Sequence, residues 1–280
     1  MRWSPLARAT AVSEGGQVPV QGSDRDLWTR LLLGRHPDEA LELLQSTGVL
    51  GATFPELQNM VGFGGHGQGH KDLWAHVKQV VLQARPDVVI RWAALFHDVG
   101  KVETLSRDTG KVSFHQHEFA SARLFRQAMK RARFLEPEVE RNVHFLVGHL
   151  GLVEAYSAAW TDSAVRRLMK DLGEHFERTL MLARADITTK HAHKREKYHQ
   201  AIHDLAERAK SIAAQDAIVP PLPKGLGDAL MAAFGIPPSK RLGDLKAALE
   251  KAAEAGRVES HQDSAHYVSF LSKHRDEFGL

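Results

Sequence analysis

The segment RWAALFHDVGK, from Arg91 to Lys101, places a histidine and an aspartate side by side at the end of an otherwise apolar run. An ionised carboxylate that is taken out of water is costly unless a partner compensates for it. On a helix, neighbouring side chains point about 100° apart, so His97 and Asp98 must each find a partner in the interior. Because one metal ion shared between helices would satisfy both, we interpret this doublet as part of a metal site.

Further histidines and carboxylates lie on or near the apolar faces of predicted helices. In HKDLWAHVKQVVLQA, an apolar stripe from Leu73 to Ala84 places His76 at the edge of the buried face. In TLMLARADITTK, Asp186 follows a similar stripe. A single histidine at a helix edge is more often a core or surface residue than a ligand, so the whole pattern must carry the interpretation. The remaining candidates are His117, Glu118, His144 and His149.

The composition is that of an ordinary globular protein and excludes thiolate metal sites. The 280 residues are 43% hydrophobic and 25% charged, which is enough for one large domain or two modest ones. The sequence contains no cysteine, so any metal has nitrogen and oxygen ligands. No apolar run approaches the roughly 18 residues of a membrane span, and the start lacks the apolar core of a secretory signal. We therefore expect a cytoplasmic protein without a membrane partner.

The elements that must position these residues are helices. Nearly every segment from Asp24 onward has helical periodicity and no segment of any length has strand periodicity, which predicts an all-α fold. Residues 1–23 lack periodicity and are expected to be a flexible lead-in without chemistry. Proline and glycine at helix boundaries predict a helical neck at 24–66 and a helical domain with the candidate ligands at 67–213. After the Pro-rich IVPPLPKG, a small helical tail at 214–280 is expected, with two short helices.

The segments that carry these residues resemble two known families. The histidine in DLWAH, the doublet in LFHDVGK and the aspartate in LARAD resemble the H…HD…D signature of the HD superfamily of metal-dependent phosphohydrolases, which implies an HD-domain helical bundle. The segments GVLGATFPEL and LVGHL and the tail LGDALMAAFGIPPSKRLGDLKAALEKAAEAGRV are similar to the carboxyl-terminal half of bacterial tRNA nucleotidyltransferases, the CCA-adding and poly(A) polymerase family. In that family an amino-terminal head transfers nucleotides. Nothing in the first 60 or so residues resembles this head, so we expect no nucleotide addition by this chain.

The donor types predict which ion binds and what it does. Imidazoles combined with carboxylates suit a divalent transition metal such as Mn, Fe, Co, Ni or Zn better than Mg, which prefers oxygen ligands. Four residues are expected to hold this ion: His76, His97, Asp98 and Asp186. Asp98 could also bridge to a second ion held by His117 and His149, so one or two ions are expected. Such an ion acidifies a bound water and neutralises a phosphoryl oxygen, which is the chemistry of phosphate-ester hydrolysis.

Basic residues near the predicted ligands could hold phosphate groups. Lys101, one turn beyond the doublet, is placed to contact a substrate phosphate, although the helix dipole alone would also favour a lysine there. The segment TTKHAHKREK follows Asp186 directly and supplies further cations: Lys190, Lys194, Arg195 and Lys197. Such a patch would bind phosphates without reading sequence, but a solvated helix face would have the same composition.

Three functions are compatible with these features. The first, implied by the resemblance, is a metal-dependent phosphodiesterase or phosphatase that acts on 2′,3′-cyclic or terminal phosphates of RNA or on nucleotides. The second is an HD hydrolase of a small free nucleotide, with a tail that is only structural. The third is a non-catalytic module that binds tRNA or other RNA, against which the intact His-Asp signature argues. The expected partner is an RNA 3′ end or a nucleotide.

Overall fold

The computed structural model describes residues 4–16, 23–64, 72–106, 112–217 and 221–280, and these residues confirm the all-α fold. Within them, the β structure is limited to one isolated bridge between Ser106 and Ser113. The chain forms two compact units, Met1–Ile212 and Ala213–Leu280. The described helices that precede His97 are α1 (Pro5–Glu14), α2 (Asp24–Leu33), α3 (Pro37–Ser46), α4 (Val49–Thr53), α5 (Pro55–Gln58), α6 (Leu73–Gln83) and α7 (Val88–Phe96). The helices that follow are α8 (Lys101–Thr104), α9 (His117–Ala132), α10 (Pro137–Glu154), α11 (Asp162–Leu172), α12 (Phe176–Asp186), α13 (Ala192–Ala217), α14 (Leu226–Phe234), α15 (Lys240–Glu254) and α16 (Ser264–Lys273).

A buried helix, α1, lies within the residues that were expected to be a flexible lead-in. The hydroxyl of Ser4 accepts a hydrogen bond from the Ala7 N–H and caps the helix. α1 packs against α2 and α3. Its small polar residues are buried because the backbone satisfies them: the Thr10 hydroxyl lies 3.1 Å from the Leu27 carbonyl oxygen, and the Ser13 hydroxyl donates to Leu31. The prediction for residues 1–23 is therefore wrong over the span of α1.

The core of the first unit is centred on α7, in which every residue from Val89 to Phe96 is buried. Aromatic rings from several helices meet there: the Phe54 ring lies 5.0 Å from that of Trp28 and 5.5 Å from that of Phe96. Such edge-to-face pairs each add about 0.5–1.5 kcal/mol to the gain from burial. Because α2 to α5 contribute to this same core, the predicted neck at 24–66 is not packed as a separate layer.

The buried guanidinium of Arg91 joins α7 to the ends of two other helices. Its Nε donates to the Ala84 carbonyl at 3.0 Å, and its Nη1 donates to the carbonyls of Gly34, at 2.9 Å, and Leu32. These carbonyls lie at the carboxyl ends of α6 and α2, where helical carbonyls lack partners within the helix. Burial lowers the pKa of Arg91, yet a guanidinium stays charged in proteins. Arg91 thus fixes α2 and α6 relative to α7.

The second unit contains α14, α15 and α16, one helix more than the sequence predicted. Leu230, Leu249 and Tyr267 lie at the centre of its core. The Tyr267 hydroxyl donates to the Pro221 carbonyl at 2.7 Å. The side chain of Asp263 caps α16 by accepting from the His266 N–H. The division into a neck, a domain at 67–213 and a tail at 214–280 stays a prediction. In the part of the chain that the structure describes, none of the helices has the length and apolar character needed to cross a bilayer.

Candidate metal centre

The doublet lies in the turn that follows α7. The helix begins at a strong cap, because the Asp87 carboxylate accepts hydrogen bonds from the N–H groups of Val89 and Ile90 at 2.9 and 3.0 Å. It ends at Phe96, and His97 and Asp98 are only 2% and 1% exposed. The buried end of an apolar helix therefore presents both side chains to the interior.

Side chains from three elements converge on one point. The Nε2 atoms of His76, in α6, and His97 lie 3.0 and 3.1 Å from Oδ1 of Asp186, at the end of α12. One ligand atom from each of these three residues falls within 4.8 Å of the others. Oδ2 of Asp98 lies 3.3 Å from His76 Nε2 and 3.4 Å from His97 Nε2. The structure thus brings the four predicted ligands together, while their binding of an ion stays a prediction.

The two histidines are oriented by their other ring nitrogen. His97 Nδ1 lies 2.8 Å from the carbonyl oxygen of Ala94, which can only accept, so Nδ1 carries the proton. In the neutral ring, Nε2 then directs its lone pair at Asp186 and the centre of the group. His76 Nδ1 lies 2.8 Å from the hydroxyl of Thr188. Partners of this kind at the second ring nitrogen are typical of histidines that bind metals.

Two buried atoms at the centre of the group lack a hydrogen bond. His97 Nε2 and Asp186 Oδ1 are inaccessible to solvent and lie 3.1 Å apart without the alignment of a hydrogen bond. A buried polar atom without a partner costs about 1–3 kcal/mol. A cation between the imidazoles and the carboxylates would satisfy both atoms, and the mixed N/O donor set suits a divalent transition metal. The residues present therefore fit such an ion.

Charges within the group shift the pKa values of all its members. Burial opposes every charge, but the charge of Asp98 and the contact with Asp186 outweigh it and raise the pKa of His97 well above its ordinary value. In the same way, contacts with Asp186 and Asp98 raise the pKa of His76. Burial is also outweighed at the carboxyls: the His97 charge lowers the pKa of Asp98, and contacts with His76 and His97 lower that of Asp186. The carboxylates are thus ionised and hold protons on the imidazoles, which a metal ion would displace.

The second predicted site, at His117 and His149, stays a prediction. His117 Nε2 lies 3.4 Å from Oδ1 of Asp98, as a bridging arrangement would require. The ring of His149 stacks on Phe145 at 4.0 Å and its Nδ1 lies 2.8 Å from the Phe145 carbonyl oxygen. The ammonium of Lys101 lies 2.6 Å from the other carboxylate oxygen of Asp98, Oδ2.

Gly100 allows α7 to approach α9 closely beside the doublet. Its N–H donates to the hydroxyl of Ser121 at 2.8 Å. A Cβ atom at this position would lie 2.4 Å from the carbonyl oxygen of His117 and 2.6 Å from the Ser121 nitrogen. Only a glycine leaves room for this contact, which holds His117 near Asp98.

Two residues of the site were not predicted from the sequence. Gln83, two turns beyond His76 in α6, donates to the carbonyls of Ala185 at 2.7 Å and Ile187 at 3.3 Å. It therefore fixes the end of α12 that carries Asp186. Gln83 follows His76 by seven residues, which places both side chains on the same face of α6; this spacing could have indicated that Gln83 lies near the site. Glu154 is the second such residue, and its side chain lines the cavity. Burial and the nearby charge of Asp186 raise the pKa of Glu154 to about 7.

The group forms one wall of a cavity of about 1020 Å³. Lys101 and Glu154 also line this cavity. Of the basic run after Asp186, Lys197 lines the cavity. The other three cations, Lys190, Lys194 and Arg195, are exposed at and before the start of α13, and their role stays a prediction.

Comparison with known proteins identifies the family. The family model of the HD domain matches residues 75–217, more than half of the 280 residues. The chain belongs to the HD domain family. The matched range contains all four predicted ligands, and HD domains bind divalent metal ions. The HD part of the resemblance is thereby confirmed.

The curated relatives carry names connected with tRNA. An A-adding tRNA nucleotidyltransferase of Deinococcus radiodurans is 29% identical over 272 residues, which cover 94% of this chain and 62% of that protein. A CC-adding tRNA nucleotidyltransferase of Thermus thermophilus is 28% identical over 263 residues, covering 90% and 57%. A multifunctional CCA protein of Azoarcus sp. is 34% identical over 137 residues, covering 46% and 32%. The chain therefore spans less than two thirds of the length of these relatives.

Proposed function

We propose that this chain is a metal-dependent phosphohydrolase, a phosphodiesterase or phosphatase, that acts on 2′,3′-cyclic or terminal phosphates of RNA or on nucleotides. The observation that carries the proposal is the convergence of His76, His97 and Asp186 on one point in the wall of a large cavity. Membership of the HD domain family supports metal-dependent hydrolysis. The names of the relatives support a substrate related to RNA.

The residues that would hold the ion are His76, His97 and Asp186, with Asp98 beside them. A bound divalent ion supplies positive charge to a phosphoryl oxygen and makes a nearby water more acidic. The protein contributes the fixed geometry of the four side chains. Since Thr188 and the Ala94 carbonyl hold the two rings, the donors do not have to reorganise when a substrate arrives.

Lys101 is the residue of this chain best placed to bind a substrate phosphate. Its ammonium lines the cavity and is held by the buried carboxylate of Asp98 at 2.6 Å. Burial is outweighed by the charge of Asp98, which raises the pKa of Lys101 and keeps it cationic. A fixed cation on the cavity wall attracts a phosphate and orients it toward the predicted ligands. For a polynucleotide, the exposed Lys190, Lys194 and Arg195 would bind flanking phosphates.

A combined metal and activity measurement tests the proposal. The protein, purified without chelator, is analysed for bound metals and then assayed with Mn, Co, Ni and Mg on 2′,3′-cyclic nucleotides, nucleotides and simple phosphate esters. His76→Gln and Asp186→Asn should each lose metal and hydrolysis while the helical circular dichroism is kept. His144→Gln, a histidine change on α10 outside the group, is the control and should retain both. Full metal content in Asp186→Asn would refute the assignment.

Two other functions are distinguished by the same proteins. The relatives' names refer to tRNA, and a non-catalytic tRNA-binding module would bind tRNA tightly but hydrolyse nothing with any of the metals. Neutralising Lys190, Lys194 and Arg195 should raise the KM for an oligonucleotide that ends in a phosphate but leave the KM for a small ester unchanged. If both rise together, a free nucleotide becomes the better substrate assignment.

A further inference from the structure

The cavity is larger than hydrolysis of a phosphate group requires. Its volume of about 1020 Å³ lies at the upper end of the range of about 300–1,000 Å³ that holds drug-sized ligands. The predicted metal ligands and Lys101 account for one wall. A second wall is formed by the end of α10 with the residues after it and by the first half of α13, which carry none of the four predicted ligands. This wall has no role in the proposed chemistry.

Two tyrosines that are distant in sequence line this second wall. Tyr156 follows α10, and its ring packs edge-on against Trp160 at 5.8 Å. Tyr198 lies in α13 and is 53% exposed. Because Tyr198 lines the cavity and more than half of its surface is exposed, part of its side chain is open to a ligand.

The position of Tyr198 distinguishes it from an ordinary exposed aromatic residue. Single exposed aromatic side chains are normal on protein surfaces. Tyr198, however, lines the same continuous cavity as His76, Asp98 and Asp186. Ala201 and the buried Ile202 continue its apolar surroundings on α13. A ligand with a phosphate group and a flat, partly apolar group matches the residue types of the two walls.

We propose that Tyr198, together with Tyr156 in the lining of the same cavity, forms a nucleobase-binding subsite. The substrate is then a nucleotide, or the terminal nucleotide of an RNA, whose base stacks on Tyr198 while its phosphate lies near Lys101. Nucleobases are flat ring systems of this kind, and stacking on aromatic side chains accepts every base. The position of the phosphate rests on the proposed function, whereas the base subsite requires neither metal nor hydrolysis.

Binding of nucleosides without phosphate tests the subsite separately from catalysis. Adenosine, cytidine, guanosine and uridine are titrated calorimetrically into the full chain in the presence of chelator. Tyr198→Ala should weaken binding about 5- to 140-fold, the equivalent of the roughly 1–3 kcal/mol per stacked base. Tyr198→Phe should retain binding because it keeps the ring. The control is Phe119→Ala, which removes another exposed aromatic ring, on α9, that does not line the cavity.

Kinetics with metal then test the connection to the phosphate. Tyr198→Ala should raise the KM for a nucleoside 2′,3′-cyclic phosphate and leave that for glycerol 2-phosphate, which has no base, unchanged. Failure of the wild-type chain to bind any nucleoside would overturn the subsite whatever the hydrolysis results, as would equal weakening by Tyr198→Ala and Phe119→Ala. Nucleoside binding that depends on Tyr198 in a chain that hydrolyses nothing would support the subsite and refute the proposed function instead.

Discussion

Substitution of Gly100 by alanine tests whether the close contact of α7 with α9 holds the site together. The backbone angles of Gly100, φ −70° and ψ −16°, suit any residue, so the cost of alanine is steric alone. The added Cβ would lie 2.4 Å from the His117 carbonyl oxygen, where ordinary contact begins at 3.4 Å. The first turn of α9 must therefore retreat by about 1 Å. Because this turn carries His117, its distance of 3.4 Å from Asp98 should increase.

The expected loss of stability follows from two contributions. Overpacking in a tight interior costs about 1–3 kcal/mol, and the weakened hydrogen bond from the Gly100 N–H to Ser121 adds roughly 0.5–1.5 kcal/mol. Urea unfolding followed by tryptophan fluorescence should therefore show a free energy of unfolding lower by about 2–4 kcal/mol.

Gly148→Ala provides the matched control within the same unit. Its added Cβ would lie 3.5 Å from the Cβ of Ala122, which is ordinary contact. Since alanine favours a helix over glycine by about 0.5–1 kcal/mol, this variant should be as stable as the wild type or slightly more so. If Gly100→Ala unfolds at the wild-type urea concentration, or if Gly148→Ala is equally destabilised, the steric reasoning is wrong.

Three further predictions concern the site. Gln83→Ala should weaken metal binding about 10- to 100-fold in a metal titration, because the end of α12 loses its anchor, and unchanged affinity would contradict this role. Lys101→Met should keep the metal content and raise the KM for phosphate substrates; loss of the metal would instead make Lys101 a structural residue. The pKa of His76 is raised, so protons should compete with the metal already above the ordinary histidine pKa of about 6.5. Metal affinity should therefore fall as the pH falls. An affinity that does not change with acid would indicate that carboxylates alone bind the metal.

Local sequence patterns predicted most of the helices but not all of them. Helices with a clear apolar stripe and a cap, such as α3 and α6, were predictable because these signals are local. α1 was missed because its buried face consists of small and hydroxyl residues whose partners lie in α2. The first half of α13 was interpreted as a basic run because its exposed residues from 192 to 198 have no apolar stripe of their own.

The candidate site could be predicted only where the residue type itself was unusual for its setting. His97 and Asp98 were conspicuous because two polar side chains ended a buried apolar run. Gln83 and Tyr198 have ordinary positions in the sequence, and their roles depend on α12 and on the cavity wall, which tertiary packing alone creates. The predicted second site at His117 and His149 stays a prediction; the stacking of His149 on Phe145, four residues earlier in α10, is a local contact.

The contacts of Arg91 extend the packed core beyond the range that the family model matches. The family match begins at residue 75, yet the guanidinium in α7 is satisfied by carbonyls at residues 32 and 34 and the central aromatic cluster includes Trp28. A fragment trimmed to the matched range would leave the Arg91 guanidinium with only the Ala84 carbonyl as an acceptor, and a large hole beside α7. We therefore expect α2 and α7 to open together, with similar protection factors in amide hydrogen exchange. The range that the family model matches is therefore smaller than the core that packs around α7.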